Sequence, residues 1–448
     1  MAGAKDAPTW LIERWLTVPI AIGFAYCLIF LFVYGYLPGP YFYVPSDTFM
    51  DFSSPATFAY QEGAYDSFRT IYPPLSFVLL KLVAWAPCYG FNPSEEARNC
   101  DTYGISWLFL IYAINCFLIW RSFRKLDSDT AVPRTFALCA GLPMTYALER
   151  GNVMLFCFTC LILAYGPLVR SARLRWFFAG LAVNFKFYLI GTIFAQLLKR
   201  RWRWFEGALI ASLLIYLISY SIYGAGSPNE IYANIAFYAN ASEQATLPEF
   251  WYPSSLQPIS LLLQGDTQFP ALTALGSQTL TVALLFVRSI VLIATLTIIA
   301  AAVAAWWQPG AVPMYRLILL SIGIALINSE AGGYSQMILI FFVFFERWRG
   351  IGRPVAIVIA YILCIALDFP IANSPPVVRD SYLGGRELIA EYSIGVGTLL
   401  RPLLIILMLF SLALVTLRDV WAHARARGWR SPLPWGSDRS MPSTEEAR

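Results

Sequence analysis

Charged residues are scarce in this sequence. Of its 448 residues, 13% are charged and 58% are hydrophobic, and the mean hydropathy is +0.59. Soluble domains carry about 25% charged residues. The deficit is spread along the whole chain, which excludes a soluble domain with a single anchor. It predicts an all-α polytopic membrane protein.

Histidine and nucleotide-binding motifs are also lacking. The single histidine is His423, in a basic stretch near the end of the chain. This excludes a histidine-rich metal site and enzymes that need a histidine within the membrane. The sequence has no glycine-rich phosphate loop, so a soluble nucleotide donor is unsupported. We expect no cofactor, because the acidic residues do not have a spacing that indicates a divalent metal site.

Basic residues cluster in short loops between apolar runs. The net charge of +5 therefore gives no reason to expect nucleic acid as a partner. Such loops are typically cytoplasmic, and following them along the chain predicts about twelve membrane segments with both termini in the cytoplasm. We expect a single integral membrane domain over residues 1–430, surrounded by membrane lipids. Residues 431–448 are polar and predict a disordered cytoplasmic tail.

Three loops are predicted on the outer side, at residues 37–103, 224–275 and 370–397. Within the first, residues 71–87 are apolar but short, which predicts a juxtamembrane or re-entrant helix. The apolar run 176–198 has basic residues at both ends, which conflicts with a single crossing. Two half-helices that meet near Lys186 resolve the conflict. They place an energetically costly, usually functional charge at depth.

The first outer loop carries the acidic residues of most interest. Asp47 and Asp51 follow the first span. A carboxylate just outside a span can take a proton from an acceptor hydroxyl as that hydroxyl attacks a lipid-borne sugar. A solvated loop is the alternative interpretation. Asp51 is the better candidate for a general base, because it begins an amphipathic stretch that can pack on the membrane domain. Asp47 is the other candidate.

Neighbouring segments offer cations for a phosphate group. Arg150 suits this task through its fork of donors, and Lys186 is the second candidate. Glu149 lies beside Arg150, so these two charges could instead pair with each other. A buried ion pair is also the alternative interpretation of Lys186. The further candidates for substrate contact are Tyr72, Glu149, Asn152, Glu330 and Tyr334.

Some of these candidates also have a purely structural interpretation. Tyr72 precedes Pro73 and Pro74, whose rings fix φ and stiffen the start of a helix. Glu330 and Tyr334 lie in a short connection between two predicted spans. They could hold polar groups against a sugar, or the connection could be a simple turn.

Two of the eight cysteines flank a polar loop that we place outside. These are Cys88 and Cys100, whereas the other six fall in apolar runs. An oxidising compartment would permit a disulfide between them.

Four short motifs follow one another in the first half of the chain. They are Asp51 with Gly63-x-Tyr65, Tyr72-Pro73-Pro74-Leu75, Arg150-Gly151-Asn152, and Lys186 followed by Arg200-Arg201-Trp202-Arg203. In this order they resemble the C-type glycosyltransferases, and within these the bacterial polyprenyl-phosphate mannosyl- and arabinofuranosyl-transferases. The glutamine of that family's Gly-Gln-x-Asn motif is absent here.

The resemblance implies a fold and an activity. The fold is the C-type glycosyltransferase membrane fold, with juxtamembrane helices in its outer loops. The activity is transfer of mannose or arabinofuranose from a polyprenyl-phosphate donor to a glycan, a lipid-linked or a protein acceptor. It would take place on the periplasmic side of the bacterial cytoplasmic (inner) membrane. Asp51 or Asp47 would be the base, and Lys186 and Arg150 would bind the donor phosphate.

Two other functions remain open. A lipid or glycan transporter or flippase could line its path with Glu149, Arg150 and Lys186. The sequence shows no internal repeat, which disfavours a transporter built from paired halves. The third possibility is a structural subunit of a glycan-assembly complex.

Overall fold

The computed structural model describes most of the chain and shows it to be mostly helical. The described residues are 9–41, 45–241, 255–256, 276–328, 332–373, 376–391 and 393–427. Glu330, the predicted tail at 431–448 and most of the second predicted loop beyond residue 241 lie outside them.

The helices follow one another along the whole described chain. Their bounds are α1 Thr9–Tyr34, α2 Met50–Tyr60, α3 Pro74–Val83, α4 Ser94–Cys100, α5 Thr102–Leu126, α6 Ala131–Cys139, α7 Leu142–Arg150, α8 Met154–Tyr165, α9 Ala172–Phe185, α10 Ile190–Leu198, α11 Trp202–Tyr223, α12 Pro228–Ala241, α13 Ser277–Trp307, α14 Met314–Asn328, α15 Gln336–Val343, α16 Gly352–Leu363 and α17 Gly397–Arg427. Short 3-10 turns lie at Pro45–Asp47, Ala86–Cys88, Phe187–Leu189, Pro309–Ala311 and Gly333–Ser335.

Five of these helices are long and apolar enough to cross a membrane. They are α1, α5, α11, α13 and α17. Together with the composition, they indicate an integral membrane protein. Six further apolar helical segments are only 10–17 residues long, whereas a span needs about 20 residues. The number of twelve segments therefore stays a prediction.

Two predicted short helical segments are present, and their placement relative to a membrane stays a prediction. α3 has 10 residues and begins at Pro74, directly after the extended Pro73, so it is too short to span a bilayer of about 30 Å. α9 ends at Phe185, and the turn Phe187–Leu189 leads into α10. The predicted interruption at Lys186 is therefore present.

The third predicted loop departs locally from the helical fold. Its strands are β1 Pro370–Asn373, β2 Val377–Ser381, β3 Arg386–Ala390 and β4 Ser393–Gly395. β1 pairs with β4 and β2 with β3, both antiparallel, with Val377 opposite Ala390. Residues Val377, Val378 and Ile389 favour strands, and Gly385 turns the chain with φ of +63°. A short β-ribbon therefore forms where the sequence predicts only a loop.

The helices pack around the short helix α15. All eight of its residues are buried, as expected for a helix that is hydrophobic on every side. It contacts α6, α7, α14 and α16. Elsewhere in the bundle α8, α9 and α11 pack in succession, and α13 and α16 pack along α17. α10 packs against α14 and so joins the two groups.

The three predicted outer loops gather at one end of the bundle, which we call the loop face (residues 45–103, 228–241 and 370–395). The backbone N–H of Tyr382 donates to the carbonyl of Pro45 at 3.3 Å. The side-chain amide of Asn234 donates to the carbonyls of Tyr65 and Thr70, both at 2.9 Å. Segments distant in sequence therefore cover one common surface.

The segments predicted to be cytoplasmic gather at the other end, which we call the opposite face. There Glu13 of α1 pairs with Arg134 of α6 at 2.6 Å. Arg316 of α14 pairs with Glu346 at 2.5 Å and with Asp419 of α17 at 2.8 Å. These ion pairs join segments that the sequence assigns to one side, and both the topology and the compartment of each face stay predictions.

Candidate functional site

The loop face carries a charge cluster where α2 meets the end of α7. Gly151 ends α7 with φ of +67°, a conformation that glycine adopts without strain. A Cβ on Gly151 would lie 3.0 Å from Phe52 Cβ and 3.2 Å from Phe49 Cα. The N–H of Phe49 donates to the carbonyl of Glu149 at 2.8 Å. Glycine at this position therefore lets the first turn of α2 approach α7 closely.

Arg98 holds the turn that precedes α2. Its guanidinium donates to the carbonyls of Ser46 and Thr48, the latter at 3.1 Å. It also lies over the ring of Tyr382, 4.4 Å from the ring centre. The segment that carries Asp47 is therefore fixed from α4 and from the β-ribbon.

The contact of α2 with α7 brings Arg150 to both candidate bases. Arg150 Nη2 donates to Asp51 Oδ1 at 2.7 Å, and Nη1 pairs with Asp47 Oδ2. Asn152 Nδ2 donates to Asp51 Oδ2 at 2.8 Å. The side chains of Arg150, Asp47 and Asp51 are 15%, 26% and 22% exposed. The two acids therefore share one arginine and stay accessible from outside the protein.

Glu149 adds a third acidic side chain, which is buried beneath the other two. It is 8% exposed, and its Oε1 accepts from the Thr48 hydroxyl at 3.1 Å. Within the described part of the chain, its Oε2 has no hydrogen-bond partner. Burial raises the pKa of Glu149 to about 8, against the opposing effect of Arg150. Burial therefore favours the neutral form of Glu149, beside the two acids that Arg150 binds.

Aromatic residues extend from this cluster across the loop face. Tyr146 of α7 stacks on Tyr334, with ring centres 6.1 Å apart. Tyr334 in turn lies within electrostatic reach of both Asp51 and Tyr72. We call Tyr146, Tyr334 and Tyr72 the aromatic wall. Its Tyr146 lies on the helix that carries Arg150, and its Tyr72 contacts Lys186 at the interrupted helix.

Lys186 lies at the far end of the aromatic wall. Its Nζ is 4.2 Å from the centre of the Tyr72 ring, a cation–π distance. Tyr188, in the turn after Lys186, shares a hydrogen bond with the Ser335 hydroxyl at 3.2 Å. The interruption between α9 and α10 thus directs the ammonium toward the wall. Among the residues that the structure describes, no carboxylate forms a salt bridge with Lys186.

The structure brings most of the predicted site residues together. They are Asp47, Asp51, Tyr72, Glu149, Arg150, Asn152, Lys186 and Tyr334. The predicted site residue Glu330 lies outside the described residues. Sequence reasoning missed Tyr146 and Tyr188. Tyr146 precedes Arg150 by four residues, a spacing that places both on one helix face and could have identified it.

A disulfide braces the loop around α4. Cys88 and Cys100 are joined, with their Cα atoms 5.7 Å apart. The next residue, Asp101, is buried and accepts hydrogen bonds from the Tyr89 hydroxyl at 2.8 Å and from Gly104 N at 2.7 Å. The carboxylate of Asp101 therefore has a structural role, unlike the accessible carboxylates of Asp47 and Asp51.

Comparison of the chain with known protein families, with curated proteins and with solved structures finds no match. In the described ranges, no group of three or more metal-ligating side chains is arranged to hold a metal ion. The fold and the site define a mostly helical integral membrane protein with an accessible acid–cation cluster at one face. Its particular activity is a matter for proposal.

Proposed function

We propose that the protein is a glycosyltransferase, which moves a sugar from a polyprenyl-phosphate donor to an acceptor hydroxyl at the loop face. One observation carries the proposal. Two accessible carboxylates and a lysine outside any described ion pair occupy opposite ends of a single aromatic wall. The reaction needs this separation, because a base must reach the acceptor while a cation reaches the leaving phosphate.

The reaction would be a single displacement with inversion. The oxygen of the acceptor hydroxyl forms a bond to the anomeric carbon of the donor sugar. The bond between that carbon and the phosphate oxygen breaks, and polyprenyl phosphate leaves with the electron pair. The hydroxyl proton passes to a carboxylate of the cluster.

Asp51 is the first choice for the base. Arg150 binds one of its carboxylate oxygens and Asn152 the other, so its orientation is fixed from two sides. A fixed base keeps the geometry that proton transfer requires. Asp47 is held by Arg150 through one oxygen and is slightly more exposed, and it remains the alternative.

Lys186 is better placed than Arg150 to bind the donor phosphate. Both terminal nitrogens of Arg150 already hold carboxylates, at Asp47 and Asp51. Moving Arg150 to a phosphate would break two ion pairs. Lys186 needs no such exchange, and a cation held beside an apolar wall stabilises a leaving anion more strongly than the same cation in water.

The proposal includes a compartment and partners. The donor would enter laterally from the outer leaflet of a bacterial inner membrane, and the acceptor would approach from the periplasm. Both termini would be cytoplasmic. The gathering of three loops at one face supports a single catalytic side.

The test is transfer by the purified protein from synthetic polyprenyl-phosphoryl mannose and polyprenyl-phosphoryl arabinofuranose. We expect one donor to release polyprenyl phosphate only when an acceptor is present, together with a new glycoside of inverted configuration. Release of lipid phosphate without a glycoside, or no turnover of either donor with glycan, lipid-linked and peptide acceptors, would contradict the proposal.

A transporter of lipid-linked sugars is the second candidate. The observation that favours it is the interrupted helix at Lys186, since broken helices with a central charge are typical of transporter sites. Movement of intact lipid-linked sugar across proteoliposome membranes, without any glycoside product, would support this function over the first.

A further inference from the structure

A second cavity lies on the loop face, between the end of α1 and the β-ribbon. Its volume is about 190 Å³. Aromatic rings form one side of it and polar side chains the other. The lining residues used below are Tyr26, Phe30, Tyr36, Asn373, Glu391 and Ser393.

We propose that this cavity is an acceptor subsite that binds one neutral sugar unit of a glycan. The inference rests on the proposed glycosyltransferase function and deepens it, because it selects the glycan among the possible acceptors. We call the cavity the saccharide subsite.

The aromatic side of the saccharide subsite suits the apolar face of a sugar ring. Phe30 and Tyr36 meet edge to face with ring centres 5.2 Å apart, and Tyr26 lies 5.9 Å from Phe30. Tyr36 is 7% exposed and forms the base of the group. Tyrosine offers an apolar ring face together with a polar hydroxyl. Such a surface can stack on C–H groups and still hydrogen-bond the ring hydroxyls.

The polar side offers both donors and acceptors. Glu391 contributes a carboxylate acceptor, Asn373 an amide with both kinds of group, and Ser393 a hydroxyl. Sugar hydroxyls donate and accept, so they need this mixture, whereas an ammonium group would need acceptors alone. The carboxylate of Asp368, which also lines the cavity, is already held by Arg401 at 2.9 Å. The lining therefore favours a neutral saccharide over a cationic headgroup.

The size of the cavity limits what it can enclose. Its 190 Å³ is below the roughly 300 Å³ at which sites for drug-sized ligands begin. One sugar ring is therefore enclosed, and the rest of the acceptor lies on the loop face outside the cavity.

Among the described residues, Tyr41 joins the saccharide subsite to the aromatic wall. Pro40 lines the cavity, and the hydroxyl of the next residue, Tyr41, shares a hydrogen bond of 2.5 Å with the Thr145 hydroxyl. The ring of Tyr41 is 6.5 Å from that of Tyr146, at the start of the wall. Through the buried Tyr41, which is 3% exposed, the subsite therefore packs against the aromatic wall.

The kinetic test uses Glu391→Gln and Tyr26→Leu in the transfer assay, with oligosaccharides of mannose and of arabinofuranose as acceptors. Glu387→Gln is the matched control, because Glu387 is an exposed carboxylate of the same β-ribbon that does not line the cavity. We expect the KM for the acceptor to rise about tenfold in each subsite variant, through loss of a hydrogen bond to a charged group in Glu391→Gln and of ring stacking in Tyr26→Leu. The donor KM and the control variant should not change.

A binding measurement separates this inference from the proposed function. Saturation-transfer NMR with the same oligosaccharides, without donor, should give signals for the wild type and for Glu387→Gln, and clearly weaker signals for Glu391→Gln and Tyr26→Leu at the same oligosaccharide concentration. Normal transfer with an unchanged acceptor KM in both subsite variants would overturn the inference and leave the transferase standing. Subsite-dependent binding without transfer by the wild type would overturn the transferase instead. If the subsite of the wild type binds an ethanolamine lipid and does not bind the oligosaccharides, the choice of ligand is overturned.

Discussion

Arginine–carboxylate clusters occur at both faces of the molecule, and they differ in balance and exposure. At the opposite face, the Arg316 side chain is 1% exposed and pairs with Glu346 and Asp419. Arg353 approaches the same two acids, at 3.5 Å and 2.6 Å. Arg418 also approaches Asp419, at 3.9 Å, so three arginines meet two carboxylates. Arg316 and Glu346 are closed to solvent, whereas Arg353 and Asp419 are 16% and 19% exposed.

At the loop face the balance is different. Arg150 alone pairs with Asp47 and Asp51, and the cluster is partly open to solvent. Glu149 lies beneath with one oxygen that has no partner in the described structure. The acids here outnumber the arginine that binds them directly, which leaves proton-accepting capacity at the surface.

A second network at the opposite face strengthens the contrast. Glu13 is fully buried and accepts from Arg134 at 2.6 Å, from the Tyr361 hydroxyl at 2.8 Å and from Trp348 Nε1 at 2.5 Å. Every partner is a donor, and together they join α1 to α6 and α16. Buried networks in which each polar group has a partner specify structure. An excess of acidic over basic side chains in an accessible cleft is typical of functional sites.

The comparison is tested most strongly by removing one arginine from each face. Arg316→Met should lower the free energy of unfolding by about 3–5 kcal/mol, because it leaves buried carboxylates without their main partner. Arg150→Met should cost clearly less stability, since water can reach Asp47 and Asp51, and it should abolish transfer. Denaturant unfolding in detergent measures both. An equal or larger loss of stability for Arg150→Met would contradict the contrast.

Substitution of Lys186 should have the next largest effect, on the rate of transfer. Lys186→Gln should lower kcat by about 10²–10³-fold, the magnitude observed when one stabilising donor of a transition state is removed. The matched control is Lys81→Gln, because Lys81 also lies over a tyrosine ring, 5.2 Å from the centre of Tyr223. Comparable loss of activity in both variants would mean that Lys186 has no special role.

The raised pKa of Glu149 predicts that the stability of the protein depends on pH. Its pKa is raised from 4.5 to about 8 in the folded protein, so the unfolded chain releases this proton first as the pH rises. Stability should therefore fall between about pH 4.5 and pH 8, by on the order of a few kcal/mol. The Glu149→Gln variant, which resembles the neutral acid, should lose less stability over this range. If the free energy of unfolding changes by the same amount in both proteins between about pH 5 and pH 8, the assignment of this pH dependence to Glu149 is excluded.

The smallest expected effect concerns Asn152. Asn152→Ala removes the hydrogen bonds to Asp51 Oδ2 and to Met154 N, which should cost about 1 kcal/mol of stability and reduce transfer roughly tenfold. Asn115→Ala is the control, because Asn115 is also fully buried and donates to the carbonyl of Leu155 at 2.8 Å. It should lose similar stability without a change in acceptor or donor kinetics. Equal kinetic effects in both variants would show a general loss of structure.

Local rules of sequence predicted part of this arrangement. The basic residues on both sides of residues 176–198 predicted the interruption at Lys186, since the charge rule for loops needs only neighbouring residues. The accessible acids of the first loop were likewise visible as charges beside a span. Both predictions depend on which residues are neighbours along the chain, and this can be read directly from the sequence.

The partners of those charges were not predictable in the same way. Asp47 and Arg150 are separated by 103 positions, and their pairing depends on the close approach of α2 to Gly151. The sequence left open whether Arg150 pairs with Glu149 or binds a phosphate. The contact of Tyr41 with Tyr146 and the β-ribbon are also products of tertiary packing, which outweighs local preference.

The most direct test of the account compares Asp51→Asn with Asp66→Asn, an exposed carboxylate of the same loop outside the cluster. The measurement is acceptor-dependent release of polyprenyl phosphate, with the melting temperature recorded for each protein. We predict that Asp51→Asn lowers the rate by about 10²–10⁴-fold, as for loss of a general base, and melts like the wild type. We expect Asp66→Asn to transfer normally. Full transfer by Asp51→Asn would contradict the assignment of this carboxylate as the base.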